Sequence, residues 1–232
     1  MNKYFLKKQA FTMLELLFVL VVIGILAAVI IPRTSTNPLQ EAAIQVASHI
    51  RYTQHLAMID DKYDTLRKDV NGKVIWYKDR WQLNFASSEF TGGKEAYTIF
   101  ADTTGIGASR GNANEAEIAI NPSNANQIMT GGYGSAAAIN YTKSGFRGMK
   151  KLNIGNSYGI TSVRMNGGCT YGRISFDHLG RPMRGDQNTM NSPYNSGRTQ
   201  RLMTVDCNVV LSNDTAHVTL TIQRETGYVT IN

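Results

Sequence analysis

The sequence predicts an α+β protein in which a long N-terminal helix packs on an antiparallel, β-rich, sandwich-like globular head. Three observations lead to this fold class. Residues 11–31 form an apolar run, residues 37–62 place apolar side chains at helical spacings, and from about Lys73 the apolar period changes to two. The chain has 232 residues, of which 42% are hydrophobic and 18% are charged, so it can form one compact domain behind the apolar segment.

The apolar run contains a single ionisable side chain, Glu15. A helix over residues 11–31 rises about 31 Å, which is long enough to cross a bilayer. A carboxylate in hydrocarbon costs about 2.5 to 3.5 kcal/mol and is usually paired. The sequence therefore predicts a transmembrane helix over residues 11–32, in which Glu15 needs a cationic partner.

Three N-terminal devices fit such a run to different degrees. A secretory signal peptide has a shorter apolar stretch and a small-residue cleavage site, which residues 32–34 do not provide. A plain signal anchor fits the length, and the lysines among the first eight residues would keep the N-terminus cytoplasmic, but Glu15 would have no partner. A short basic leader cut before Phe11 creates an amine four residues from Glu15, and this amine supplies the partner.

The stretch "KKQAFTMLELLFVLVVIGILAAVIIP" resembles the prepilin-type cleavage and methylation segment of type IV pilins and type II secretion pseudopilins. The resemblance implies that residues 1–10 are a leader, that a prepilin peptidase cuts between Ala10 and Phe11, and that it methylates Phe11. Glu15 is then the acid that serves assembly. Gly24 and Pro32 stand where the family carries helix-loosening residues. Ala10 departs from the family, which normally has Gly before the cut.

The same resemblance implies the partners and the location of the chain. The partners are the prepilin peptidase, other pilin or pseudopilin subunits in a hetero-oligomeric filament, and the bacterial inner membrane. The chain would be single-pass, with a cytoplasmic N-terminus and a periplasmic head. A charge pair between staggered helices fixes their register at low dielectric, and a head-to-tail contact that does not close produces an open filament.

Residues 37–62 are predicted to form a second helix, the periplasmic half of the stalk. Asn37 suits the N-cap, Pro38 the first helical position and Gln40 the capping box. Because proline interrupts a helix, Pro32 is expected to bend or break the run between the two helical parts. The predicted core face of the second helix consists of Leu39, Ala43, Val46, Ile50 and Ala57.

Residues 73–232 are predicted to form the β-rich head. Their order of elements resembles the minor pseudopilins of the GspH/FimT type, in which a long helix supports a β-sandwich-like domain. Residues 103–156 and 184–201 are rich in Gly, Asn and Ser and are predicted to be enlarged, solvated loops. The predicted strands are residues 80–86, 96–101, 117–120, 137–141, 172–177, 217–222 and 227–231.

The two cysteines, Cys169 and Cys207, lie in the predicted head. Neither has the CxxC or zinc-site spacing. If the head is exported, it reaches an oxidising compartment, so we predict a Cys169–Cys207 disulfide. Two lone thiols are the alternative.

Catalytic, metal and cofactor sites are not predicted. Ser175, Asp177 and His178 are close in sequence, but on one strand His178 points away from the other two. The acidic residues after the stalk helix lack the glycine-containing loop of an EF-hand. A structural protein is therefore favoured over an enzyme.

DNA binding during natural transformation is the alternative function. Some FimT-like minor pilins are associated with DNA uptake through arginines in a C-terminal loop, and four arginines here could contact phosphates. The net charge of +7 permits such contacts without requiring them. An adhesive tip subunit is a third reading, and the sequence does not distinguish a secretion pseudopilus from a pilus. The candidate DNA contacts are Arg181, Arg184, Arg198 and Arg201.

Overall fold

The computed structural model describes residues 12–30, 37–104, 111–169, 172–194 and 201–232. The chain divides into two compact units, Met1–Asn37 and Pro38–Asn232, and each is described by itself. Cleavage residues Ala10 and Phe11, as well as Pro32 and Arg198, lie outside the described residues.

The first unit contains helix α1 (Met13–Ile30). Its sequence is apolar on every side, and residues 12–27 are all exposed. A helix that is apolar all round does not form the surface of a soluble domain, because such a helix is normally covered on all sides. Among the described helices, none is both long enough and apolar enough to cross a membrane.

The second unit begins with helix α2 (Pro38–Ile59). The apolar face predicted for this helix is confirmed, since all five of its residues are buried, and Ala42, Ala47 and Thr53 are buried beside them. The helix stops three residues before the predicted boundary at residue 62. Beyond its end, the Asp60 carboxylate accepts a hydrogen bond from Trp81 Nε1 at 2.9 Å.

The head contains two four-stranded sheets and one hairpin, β3–β4. The first sheet has the order β2-β1-β6-β7 and the second the order β10-β9-β8-β5. Every strand pair in these sheets is antiparallel, so the α+β class with an N-terminal helix and antiparallel sheets is confirmed; the face-to-face sandwich stays a prediction. The strands are β1 (Trp81–Ala86), β2 (Ala96–Ala101), β3 (Ile120–Asn121), β4 (Asn124–Ile128), β5 (Ser162–Gly167), β6 (Arg173–Phe176), β7 (Pro182–Arg184), β8 (Cys207–Ser212), β9 (His217–Ile222) and β10 (Val229–Ile231).

Helix α2 contacts strands of both sheets, and one hydrophobic core includes side chains from all three elements. The period of two is visible on β8, where Cys207, Val209 and Leu211 are buried and the residues between them are half-buried. Opposite them on β9, Val218, Leu220 and Ile222 are buried. The remaining regular helix, α3 (Ile154–Tyr158), packs against α2.

The prediction of solvated loops over residues 103–156 is wrong for the part that the structure describes. Leu152 and Ile154 are fully buried, and Ile118 and Met129 are nearly so. The segment also extends the first sheet past β2, because Ala119 N donates to Ile99 O at 2.9 Å and Ile99 N donates to Met129 O at 3.0 Å. Every residue of β2 is therefore buried.

Two of the predicted strands are corrected by the structure. Residues 137–141 begin with a 3-10 helix, Ala137–Ile139, because Ile139 N bonds back to Ala136 O at 3.1 Å. In residues 117–120 the strand begins only at Ile120, since Glu117 closes a preceding 3-10 turn by accepting from Asn114 N at 2.8 Å.

Other differences concern elements that the sequence analysis does not predict. Strands β5 and β8, which pair along their whole length, fall outside the seven predicted runs. In the predicted loop 184–201, Met190 is buried and joins Tyr77 and Met183 in a small second core. The described part of that loop is therefore anchored to the head by apolar contacts.

A buried chain of polar side chains lies under α2. His49 Nδ1 is 2.6 Å from the Tyr97 hydroxyl, which also accepts a hydrogen bond from Gln45 Nε2 at 2.8 Å. The Tyr158 hydroxyl donates to Gln45 Oε1 at 2.8 Å. Burial lowers the pKa of the His49 imidazole from its usual 6.5 to about 4 and raises the pKa of the Tyr97 hydroxyl.

Acid sensitivity of the head should depend on His49. The unfolded chain binds a proton at this residue below pH 6.5 and the folded chain only near pH 4, so stability should fall as the pH falls through this window. The loss is at most about 3 kcal/mol. His49→Gln does not titrate, and its free energy of unfolding should fall less between these pH values. Urea unfolding followed by tryptophan fluorescence measures the difference.

The exposed His55 gives the matched control, because His55→Gln removes an imidazole from the same helix without touching the buried chain. An identical pH dependence of the wild-type chain and His49→Gln would contradict the assignment.

Candidate functional site

The start of α1 is closed by a reciprocal pair of hydrogen bonds between Thr12 and Glu15. The Glu15 carboxylate accepts from Thr12 N at 3.0 Å and from Thr12 Oγ1 at 3.1 Å, and Glu15 N donates to Thr12 Oγ1 at 3.3 Å. This is a capping box, in which two orphan amides of the helix end find side-chain acceptors. Glu15 therefore already has a local partner in the single chain.

The other residues of the predicted processing segment are placed only in part. The cut between Ala10 and Phe11 and the amine of Phe11 lie outside the described residues, so the pairing of that amine with Glu15 stays a prediction. Helix α1 continues through Gly24, and a Cβ built there would have no neighbour within 4 Å. Packing inside the chain does not explain the glycine, and its helix-loosening role stays a prediction.

The apolar side chains of α1 have little cover within the chain. Leu14 is 79% exposed, Phe18 is 68% exposed, and even the least exposed large side chain, Val22, is 38% exposed. Each large apolar side chain that becomes buried gains about 1.5 to 3 kcal/mol. The helix is therefore a strong driving surface for association, with Glu15 as its single charge.

Among the arginines predicted to contact DNA, Arg181 is engaged in the head. Its guanidinium forms a salt bridge with the buried Asp177 carboxylate, with Nε and Nη2 both at 2.8 Å from Oδ2. Arg181 also stacks over the Tyr194 ring at 5.4 Å. Much of the charge of this arginine is neutralised locally.

The structure brings two of the remaining candidate arginines together. Arg184 N donates to Arg201 O at 2.8 Å, so the two backbones run side by side. The Arg201 guanidinium donates to Thr189 Oγ1. Arg198 lies outside the described residues. The candidate DNA contacts thus belong to one surface region, and two of the three described side chains have partners in the chain.

The residues considered for catalysis are arranged as structural groups. Ser175 is buried, Asp177 is paired with Arg181, and His178 Nδ1 lies 3.4 Å from the Tyr194 hydroxyl. Within the described part of the chain, no three potential metal ligands come together. The arrangement of Asp177 explains the local fold, because its carboxylate also accepts from the backbone of Leu179 and Arg181.

A basic groove in the head was missed in the sequence analysis. It is lined by residues of strand β4 and of the segment 146–151, including Arg147, Lys150 and Lys151. The signal in the sequence is the distribution of charge: residues 118–176 contain six Lys and Arg residues and no Asp or Glu. The overall net charge conceals this segregation.

The predicted disulfide between Cys169 and Cys207 is present, with the two Cα atoms 5.0 Å apart. It ties the segment after β5 to the first residue of β8. Gly168 N adds a hydrogen bond to Asp206 O at 2.9 Å beside it. Both cysteines are buried, so the bond is shielded from solvent.

Comparison with protein-family models matches residues 6–31 to a family described as the prokaryotic N-terminal methylation motif. The matched range contains the predicted cut after Ala10 as well as Glu15 and Gly24. Searches among curated proteins and among solved structures gave no match. The similarity therefore concerns the N-terminal segment, and the head is described by its own structure.

Removal of the disulfide should destabilise the head. Cys169 and Cys207 are 38 positions apart, and a crosslink of that span contributes about 3 to 4 kcal/mol in the chain-entropy model. The double variant Cys169→Ala, Cys207→Ala should lower the free energy of unfolding by that amount in urea titrations. Reduced wild-type chain is the control for packing, and equal stability of oxidised and reduced wild type would contradict the prediction.

Proposed function

We propose that this chain is a minor structural subunit of a type II secretion pseudopilus or type IV pilus, of the GspH/FimT type. The match to the methylation motif carries the proposal, because it supports a type IV pilin- or pseudopilin-like protein. Such a motif implies processing by a prepilin peptidase and assembly with other pilin subunits, and its family is structural rather than enzymatic. The finer assignments rest on the arguments that follow.

The exposed surface of α1 supports assembly through the N-terminal helix. Its apolar side chains point in all directions, which suits a bilayer before assembly and a bundle of equivalent helices afterwards. We place the chain in the bacterial inner membrane, with residues 11–32 crossing once and the head in the periplasm. The buried disulfide supports this placement, because the periplasm is oxidising.

Glu15 supports a head-to-tail contact between subunits. The capping box satisfies its hydrogen bonds, but two hydroxyl and amide donors leave the negative charge without a cation. Inside a bundle such a charge is costly unless a cation lies beside it. Cleavage before Phe11 creates that cation on a neighbouring subunit, and the resulting interface is one that extends rather than closes.

The outward face of α2 offers a second contact for neighbouring subunits. Ile44 and Met58 on this helix are 55% and 47% exposed, although the opposite face is fully buried. Ile59 continues the exposed apolar surface at the end of the helix. A stalk helix that packs only on its own head would not require these side chains, whereas a helix shared with neighbours would use them.

The order of elements supports the GspH/FimT type. The segments that resemble this type lie on β1, β2, β6, β9 and β10, behind a helix that packs on the strands. DNA binding through the C-terminal arginines has less support, since Arg181 is neutralised by Asp177. We therefore retain the filament subunit as the function.

Processing provides the direct test of the proposal. The chain expressed with an active prepilin peptidase should lose residues 1–10 and carry one methyl group on the amine of Phe11. Intact-mass measurement and N-terminal peptide sequencing of membrane fractions detect both changes. Cells without the peptidase should contain the chain with Met1.

The variant Ala10→Gly is the matched control, because it restores the residue that the family normally has before the cut. It should be processed at least as fast as the wild type. An unprocessed wild-type chain in membranes where Ala10→Gly is cleaved would sink the proposal for the natural sequence.

A further inference from the structure

The basic charge of the head is concentrated in one stretch of sequence. Residues 118–176 contain no carboxylate, whereas all other parts of the chain mix both signs. Of its basic side chains, Arg147 pairs with Glu115 at 2.5 Å and Arg173 pairs with Asp186 at 3.1 Å. Within the described part of the chain, no ion pair involves Lys143, Lys150 or Lys151.

Two of these free lysines lie in the groove noted above. The groove has a volume of about 520 Å³ and is open to solvent. Lys143 stands beside it, because Phe146 N donates to Lys143 O at 3.2 Å in a turn that leads into the groove. All three lysine side chains are exposed. The groove is lined by Asn126, Gln127, Phe146, Arg147, Gly148, Met149, Lys150 and Lys151.

The backbone that carries the lysines is held in place from both sides. Ser157 Oγ donates to Lys150 O at 2.9 Å, and Gln45 Nε2, on α2, donates to Lys151 O at 2.9 Å. Gly148 lies against the head so closely that a Cβ there would come within 2.3 Å of Thr130 O. The positions of the charges are therefore fixed before any ligand arrives, which reduces the entropy lost on binding.

The groove also contains an aromatic ring and two side-chain amides. Phe146 is half-buried, and Tyr141 packs against it with a centroid distance of 5.4 Å and an interplanar angle of 65°. Asn126 and Gln127 stand on the opposite wall, on β4. Cations, an aromatic platform and amides are the groups that bind phosphates and stack bases in single-strand binding sites.

We propose that this groove binds single-stranded nucleic acid, with Lys143, Lys150 and Lys151 contacting phosphates and Phe146 stacking a base. This site is separate from the C-terminal arginines and does not depend on the filament function. An anionic membrane surface carries the same phosphate chemistry. The concave shape favours a strand, because a bilayer is flat on the scale of the head and cannot enter a groove.

The proposal is tested on the full chain in phosphatidylcholine nanodiscs. Fluorescence anisotropy of a labelled oligothymidylate of about 12 nucleotides measures binding, at about 50 and 150 mM salt. The triple variant Lys143→Gln, Lys150→Gln, Lys151→Gln should bind at least tenfold more weakly. Its dependence of log K on log salt should be shallower by about 2, because each phosphate contact on a single strand contributes about 0.7.

A matched control removes three positive charges elsewhere. Lys68, Lys73 and Arg224 are exposed and lie outside the groove. Their joint replacement by Gln should leave affinity within about twofold, since contact cations dominate over distant ones at this salt. Equal losses in the two triple variants would overturn the proposal, and so would an absence of binding by the wild type at 150 mM salt.

The aromatic contact is tested by Phe146→Leu, which keeps an apolar side chain over Gly148. Loss of stacking should weaken binding about fivefold or more, with an unchanged thermal unfolding midpoint and an unchanged salt slope. Unaltered affinity would show that no base stacks there and would overturn this part of the assignment.

Amine acylation followed by mass spectrometry separates a strand from a membrane. In phosphatidylcholine nanodiscs the oligonucleotide should protect Lys150 and Lys151 from acylation, and Lys68 should remain reactive. Phosphatidylglycerol nanodiscs without nucleic acid should give no such protection. Protection by phosphatidylglycerol and none by the oligonucleotide would overturn the proposal in favour of lipid headgroups.

Discussion

The head depends on the close packing of the small-residue face of α2 against both sheets. Ala42, Ala43 and Ala47 are fully buried, and their small side chains let the helix backbone approach the strands. Polar contacts fix the far half of the helix, since Gln54 Nε2 donates to Gly180 O at 2.8 Å. At Gly227, whose φ is +68°, a Cβ would come within 2.6 Å of that same Nε2, so glycine is required there.

This packing separates the core from the assembly surface. The apolar face of α2 is covered inside Pro38–Asn232, whereas the apolar side chains of α1 remain exposed. A subunit built in this way can keep its head folded while its first helix exchanges one apolar environment for another. The exchange is controlled by one charge, Glu15, because a misplaced carboxylate is costly in both environments.

Local periodicity predicted the elements whose burial follows a simple period. The face of α2 and strands such as β1 and β2 belong to this class, because their side chains alternate as helix and strand geometry require. Residues 103–156 do not, since their buried side chains, such as Ile118 and Leu152, are scattered among glycines and asparagines. Their order comes from backbone pairing with β2, which is a tertiary contact that no local pattern encodes.

The candidate sites show the same division. The motif around Glu15 is local and could be predicted, but the capping role of Thr12 was not recognised although the spacing of three residues indicates it. Arg181 was predicted to be a phosphate contact because a sequence does not show that Asp177 lies against it. The basic groove was missed because net charge was counted over the whole chain rather than along it.

The central claim is that Glu15 acts in assembly through its charge and not only through its cap. Glu15→Gln keeps an oxygen that can accept from Thr12 but removes the charge, whereas Thr12→Ala removes the cap and keeps the charge. The measurement is the fraction of each variant that co-purifies with sheared filaments from cells expressing the partner subunits. We predict that Glu15→Gln is processed and stable but absent from filaments, and that Thr12→Ala is incorporated. Normal incorporation of Glu15→Gln would contradict the account.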